Sequence, residues 1–183
     1  MSHDVRVRPI CDADWPDIAA LEAAAYASSS LSEGQEALES RGRISPATCF
    51  VLDVGERVGG YVLALPYPVF QYPDLARAER TAFRSRNLHL HDMVVAAELR
   101  GRGLGTRLLG VLTAAARPAY ERMSLVAVGG MADFWARRGY RPHAEVGLPH
   151  SYGDDAVYMS AEVPGSTRTD GLRETDFHPC SAS

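Results

Sequence analysis

The sequence contains no lysine: all nineteen of its basic residues are arginine. Schiff-base chemistry and phosphate loops ending in Gly-Lys-Ser/Thr are thereby excluded. Cysteine is scarce. Cys11, Cys49 and Cys180 are odd in number and show no Cys-x-x-Cys spacing, so neither a disulfide framework nor a zinc site is expected. Such thiols fit a reducing cytosol. Long apolar runs are missing as well. The longest uncharged stretch, Val58 to Pro73, is interrupted by Pro66 and Pro68 and is too short to span a bilayer. The start, Met1-Ser2-His3-Asp4-Val5-Arg6, has no signal-peptide core. Nor is there an excess of positive charge. The net charge is −4, which argues against general binding to nucleic acid or anionic membranes. A cytoplasmic, soluble protein is expected, monomer or homodimer.

What is present fits one globular domain. The chain has 183 residues, 46% apolar and 23% charged, enough for one core and a pocket. Val5–Ile10 alternates and reads as a first strand. Asp12 or Asp14 can cap the next helix, with Pro16 in its first turn and Ile18, Leu21 and Ala25 along one face. A weaker helix opens at Ser32–Glu36 and ends near Gly42; strands Cys49–Val54 and Val58–Leu65 follow as a hairpin. The segment Pro66–Asn87 reads as a long loop, which in a compact domain is functional or disordered. Then come a strand (Leu88–Val95), a helix (Gly103–Ala116), a strand (Met123–Val128), a helix (Met131–Arg138) stopped by Gly139, and a last strand (Ala156–Met159). The folded domain is expected to cover residues 1–163, with 164–183 a flexible tail rich in Ser, Thr, Gly and Asp.

The junction Val94-Val95-Ala96-Ala97-Glu98-Leu99-Arg100-Gly101-Arg102-Gly103-Leu104-Gly105-Thr106 carries the most chemistry. A buried strand runs through a turn with three glycines in five residues and straight into an amphipathic helix. Glycines let the backbone approach a ligand closely, and the first helix amides have no intrahelical partner. Those amides and the helix dipole favour a phosphate or pyrophosphate, to which Arg100 and Arg102 can add charge. A dinucleotide fingerprint is excluded, because Thr106 stands where a small residue is needed and the next strand ends in Gly129-Gly130 with no acid.

Arg100-x-x-Gly103-x-Gly105 between strand and helix resembles the acyl-CoA pyrophosphate loop of the Gcn5-related N-acetyltransferases (GNAT). The later stretch Leu125–Val128 followed by Phe134-Trp135-Ala136-Arg137-Arg138-Gly139-Tyr140 is similar to that family's second landmark. The resemblance covers roughly residues 5–162. It implies a mixed α/β (α+β) fold: a twisted, mostly antiparallel sheet of six to seven strands, splayed between the fourth and fifth, with about four helices. It also implies acetyl-CoA as co-substrate; no metal is expected, because the sequence indicates no third ligand beside His89 and His91. The backbone of Gly101, Arg102, Gly103, Leu104, Gly105 and Thr106 would hold the pyrophosphate with Arg100. The pantetheine would pair along Met93, Val94 and Val95, and Trp135 would wall the site.

Leu88-His89-Leu90-His91-Asp92 places His89 and His91 on one face of a strand, because side chains alternate with period two. A neutral imidazole is a suitable base for an amine near pH 7; two histidines satisfied in a polar core is the plain alternative. They lie eleven and nine residues before Arg100, as the paired histidines of arylalkylamine (serotonin-type) N-acetyltransferases do before their loop arginine. That narrower resemblance implies proton removal by His89 and His91 from a primary amine, a small arylalkylamine or polyamine, with a strand amide near Val95 stabilising the oxyanion. A peptide N-terminus is the rival acceptor.

Trp135 stands where much of the family has a tyrosine acid. Indole N–H is no useful proton donor. Either Trp135 only walls the pocket, or another tyrosine (Tyr140, Tyr152 or Tyr158) reaches in, or the protein binds acyl-CoA without turnover. Tyr140 is the tyrosine expected to act in catalysis. Tyr26, Tyr67, Phe70 and Tyr72 could line an aromatic cleft, and Asp53, Asp74 or Asp92 could hold an ammonium group.

Overall fold

The computed structural model describes residues 4–166. Four helices and seven strands occur among them: β1 (Val5–Pro9), α1 (Trp15–Ala25), α2 (Gln35–Ile44), β2 (Phe50–Val54), β3 (Arg57–Pro66), β4 (Asn87–Val95), α3 (Leu104–Ala116), β5 (Arg122–Ala127), α4 (Ala132–Ala136), β6 (Arg141–Pro142) and β7 (Val157–Glu162). All strands join one sheet, in the order β1-β2-β3-β4-β5-β7-β6. Every pairing is antiparallel except β4 with β5. The expected mixed α/β architecture is the one observed.

Two cores lie on opposite faces of the sheet. One gathers Leu88 and Leu90 of β4, Leu108 and Leu112 of α3, Leu125 of β5 and Trp135 of α4. The other packs Trp15 and Ile18 of α1 and Leu38 of α2 on Val51, Tyr61, Leu63 and Val94. Gly42 allows the second: a Cβ there would come within 2.4 Å of the Trp15 ring.

Strand β4 is not regular. Leu90 pairs with Ala64 and Asp92 with Leu63, which leaves His91 as the extra residue of a β-bulge. The bulge resets the alternation. Met93 now packs on the same core as Leu88 and Leu90, and Val94 joins the opposite one. Pairing of β4 with β5 ends at Leu90–Leu125, the last step before the bulge. The splay between the fourth and fifth strands therefore starts where the extra residue bends β4 away.

Several local readings need correction. Asp14 immediately precedes α1 but makes no cap: its carboxylate receives the Arg8 guanidinium (2.7 and 2.9 Å) and the Cys11 amide (2.8 Å). Helix α2 starts at Gln35, leaving Ser32 and Glu33 in the connection before it. The two-residue strand β6 was not expected. Its sequence, Arg141-Pro142, is too short to show a period. Segment 67–86 has no regular structure, but it is tied down. Tyr72 donates to the Gly147 carbonyl (2.6 Å), Tyr152 to that of Pro73 (2.6 Å), and Ser85 Oγ to that of Tyr67 (2.8 Å). Of the expected tail, Pro164 accepts from Arg117 Nε (3.0 Å), and residues 167–183, with Cys180, lie outside the described residues. No described helix is long and apolar enough to cross a membrane.

Candidate active site

The divergence of β4 and β5 opens a cavity of about 540 Å³. At one end it is lined by Tyr26, Ser29, Glu33, Leu75 and Tyr152; in the middle by β4 from Leu90 to Val95 and by Leu125 and Val126; at the other end by Arg100, Gly129, Phe134 and Trp135. The sheet edge thus connects the glycine turn to a polar, aromatic chamber.

The glycine turn is built as its sequence suggests. Gly101 (φ +76°) and Gly103 (φ +74°) adopt left-handed backbone, and a side chain on either would meet nothing within 4 Å. The constraint there is conformational. Gly103 precedes α3, and the first helical bond runs from the Arg107 amide to the Gly103 carbonyl (3.0 Å), so the amides of Leu104, Gly105 and Thr106 have no acceptor within the helix. Gly105 sits close over β4, where a Cβ would touch Met93 and Val95 at 3.9 Å. Arg100 reaches back to the Val95 carbonyl through Nε (3.2 Å), and Arg102 is exposed. Sequence reasoning missed Arg138. Its guanidinium lies 3.5 Å from the Phe134 ring centroid and donates to Thr106 Oγ1 (3.2 Å), adding a second cation beside the turn. An open bed of free amides flanked by arginines suits the pyrophosphate of an acyl-CoA.

The two histidines have different surroundings, although their rings are only 6.4 Å apart. His89 is buried, shares a hydrogen bond with Ser124 Oγ through Nδ1 (2.9 Å), and stacks near Tyr158. Burial, with His91 and Arg41 nearby, pushes its imidazole well below the usual value of 6.5. It is absent from the cavity lining. His91 lines the cavity: Nε2 is bonded to Glu33, while Nδ1 is buried without a partner. Glu33 also receives Arg41 Nε (3.0 Å). Burial pushes the Glu33 carboxyl upward, but His91 and Arg41 outweigh it and hold the group below its usual range, as a carboxylate.

Asp92 follows His91 and, like the rest of β4 from Leu90 to Val95, lines the same cavity. It accepts from Tyr26 (2.6 Å) and from Tyr61. Burial raises its carboxyl, and the two hydroxyls and His91 oppose that rise. Glu33 carried no sequence signal, because it is 58 residues from His91 in an irregular connection.

The tyrosine positions are equally definite. Tyr140 is buried against Trp135 (ring centroids 5.3 Å apart) in the core, with burial raising its hydroxyl, and it does not line the cavity. Tyr158 is fully buried, its oxygen accepting the Phe70 amide (3.0 Å). Tyr26 and Tyr152 do line the cavity, but their hydroxyls are committed to Asp92 and to Pro73. Trp135 is buried in the cavity wall. No cluster of three or more His, Cys, Asp or Glu able to hold a metal ion occurs among the described residues.

Residues 15–140 match the sequence profile described as the Acetyltransferase (GNAT) family. The chain belongs to this family. Solved structures agree with the GNAT fold. Ard1 from Thermoplasma volcanium superposes with a TM-score of 0.68 at 18% identity, covering 87% of this chain and 97% of its own. The GphF GNAT-like decarboxylase, in complex with isobutyryl-CoA, gives 0.70 at 20% identity over 86% of this chain and 99% of its own. N-acetylglutamate synthase from Neisseria gonorrhoeae, complexed with coenzyme A and N-acetyl-glutamate, gives 0.66 at 18% identity over 89% and 36%. No curated protein sequence matches the chain. At these identities the neighbours establish the shared fold, and the GNAT assignment rests on the sequence profile.

Proposed function

We propose that this GNAT protein transfers acetyl from acetyl-CoA to a primary amine by direct attack on the thioester. The observation that carries the reading is His91, which lines the cavity between the splayed strands with one ring nitrogen held by Glu33 and the other unpartnered. A Glu33 carboxylate accepts from Nε2–H, so in the neutral ring Nδ1 is the nitrogen that carries the lone pair. The amine surrenders its proton to Nδ1 as its nitrogen bonds to the thioester carbonyl carbon. The C–S bond then breaks, leaving an amide and the CoA thiolate. His89, neutral and bonded to Ser124, supports the ring beside it. The acyl-CoA pyrophosphate is assigned to the Gly101–Thr106 amides with Arg100 and Arg102, and the pantetheine to the free edge of Met93–Val95. A β4 amide near Val95 faces the developing oxyanion. No tyrosine hydroxyl lining the cavity is uncommitted, so the thiolate takes its proton from water, and the hydroxide left behind recovers the proton from His91 Nδ1.

The chamber at the acceptor end suits a small arylalkylamine or polyamine. Tyr26 and Tyr152 offer ring faces, and Glu33 and Asp92 offer negative charge to an ammonium group. Isobutyryl-CoA and coenzyme A in two structural neighbours support a CoA thioester as donor. Trp135 in place of an acid favours a second reading, an acyl-CoA-binding module without turnover. An assay of CoA thiol release against arylalkylamines, polyamines and peptide N-termini decides between them. Amine-dependent release is expected; tight CoA binding with no release from any amine would overturn the transferase reading.

A further inference from the structure

Arg41 lies outside the reacting cavity, and the proposed mechanism leaves it unused. Its side chain is 1% exposed, an expensive place for a guanidinium. Nε and Nη2 both bond Glu33 Oε2, and Glu33 Oε1 in turn bonds His91. Nη2 also donates to the Asp74 carbonyl (3.0 Å) and the Arg77 carbonyl (3.3 Å). Between those two residues stands Leu75, which lines the acceptor end of the cavity. The neighbouring Ser40 accepts the Glu79 amide (2.7 Å), and Pro73 is held by Tyr152. Behind this segment a second cavity, of about 680 Å³, separates residues 74–81 from Glu36 and Ala37 of α2. The Leu75 wall is therefore held to α2 chiefly by hydrogen bonds across a gap.

We propose that Arg41 is a positioning residue that ties the Leu75 wall of the acceptor chamber to the Glu33–His91 pair. One planar fork fixes the carboxylate that orients His91 and the backbone that shapes the space beside it. Lysine, a point charge without a fork, could not hold both. The proposal rests on the acetyl-transfer reading for its kinetic consequences only.

The charge of Arg41 acts on the pair as well as its geometry. Around His91 stand Glu33, Arg41, His89 and Asp92, with Tyr26 and Tyr61 on Asp92 and Tyr152 across the cavity. Arg41 is the permanent cation among them, so its removal favours protonation of the pair. Arg41→Gln should raise the midpoint of the pair's titration, read from the His91 ring resonances, by about one pH unit. Arg41→Lys should leave that midpoint in place. Both variants should raise the acceptor KM about tenfold without changing the acetyl-CoA KM, and both should speed amide exchange over residues 73–79. Ser40→Ala, which removes the Glu79 anchor and the bond to the Ala37 carbonyl but leaves Arg41 in place, should loosen the same segment without moving the titration, and it serves if the Arg41 variants do not fold. Equal rises in both KM values, or unchanged exchange over 73–79 in Arg41→Lys and Ser40→Ala, would overturn the assignment. If the wild-type protein acetylates no amine, the transferase reading fails, and titration and exchange still decide the role of Arg41.

Discussion

His89 and His91 stand two residues apart on one strand, and their neighbours give them separate chemistry. His89 is buried and held neutral. The unfolded chain binds a proton there near pH 6.5 that the folded chain refuses, so stability is full above that value and declines as the pH falls through it. Urea unfolding between pH 7.5 and 5 should show this decline, and His89→Gln should remove part of the slope. An identical slope in the variant would show that another group carries it. His91 lines the cavity and keeps one buried ring nitrogen without a partner. Replacing it by Gln should lower the turnover number about 10²- to 10⁴-fold at neutral pH. Loss of a base moves the remaining activity to higher pH, where the free amine is more abundant. Retention of the wild-type pH–rate profile would shift proton removal to another group. The fork of Arg41 illustrates what an all-arginine basic complement offers at this scale, as Arg8 does in bridging Asp14 and Asp53.

At the scale of elements, the strand–turn–helix from β4 to α3 was legible because its signals are local: free helix amides, left-handed glycines and an apolar stripe. Alanine at Gly103 would force a side chain into left-handed backbone, at a cost of about 1–2 kcal/mol. Gly110 gives the opposite case. It is exposed in the interior of α3 with open space around it, and Gly110→Ala should stabilise the protein by about 1 kcal/mol in denaturant unfolding. Arg100→Ala should chiefly raise the KM for acetyl-CoA, which initial rates at varied donor concentration would reveal. The bulge in β4 was not legible. A period-two reading keeps Met93 on the face opposite Leu88 and Leu90, whereas the extra residue brings all three to one core. Nothing in Leu88–Val95 marks it, since the extra residue is defined by the register with β3.

For the whole molecule, the sheet separates two cores and its splay opens the candidate cavity, so core packing and the cavity share strand β4. The acid end of the stability curve belongs partly to Asp14, which joins β1 and β2 to the start of α1 through Arg8. The Arg8 hydrogen bonds outweigh the effect of burial and lower its carboxyl to about 2. Its contribution is present above the ordinary value of 3.8 and is lost as the pH falls toward 2. Asp14→Asn should therefore destabilise the protein at pH 7, and the difference from wild type should vanish near pH 2 in thermal unfolding.

The sequence by itself determined what depends on neighbours along the chain. Apolar periodicity set the strands and helices, the glycine turn set left-handed backbone and free amides at the start of α3, and the spacing of two landmarks set the family. Only the tertiary structure decided what depends on contacts between distant segments. It selected His91 over His89 for the cavity, joined Glu33 and Arg41 to it from irregular and helical segments, and withdrew Tyr140 into the core. Burial and hydrogen-bond partners set the protonation state of a side chain, and here Glu33 lies 58 residues from His91 and Tyr26 lies 66 from Asp92. The missing lysine excluded one chemistry from the start; the folded chain shows a buried arginine making bonds that a lysine could not.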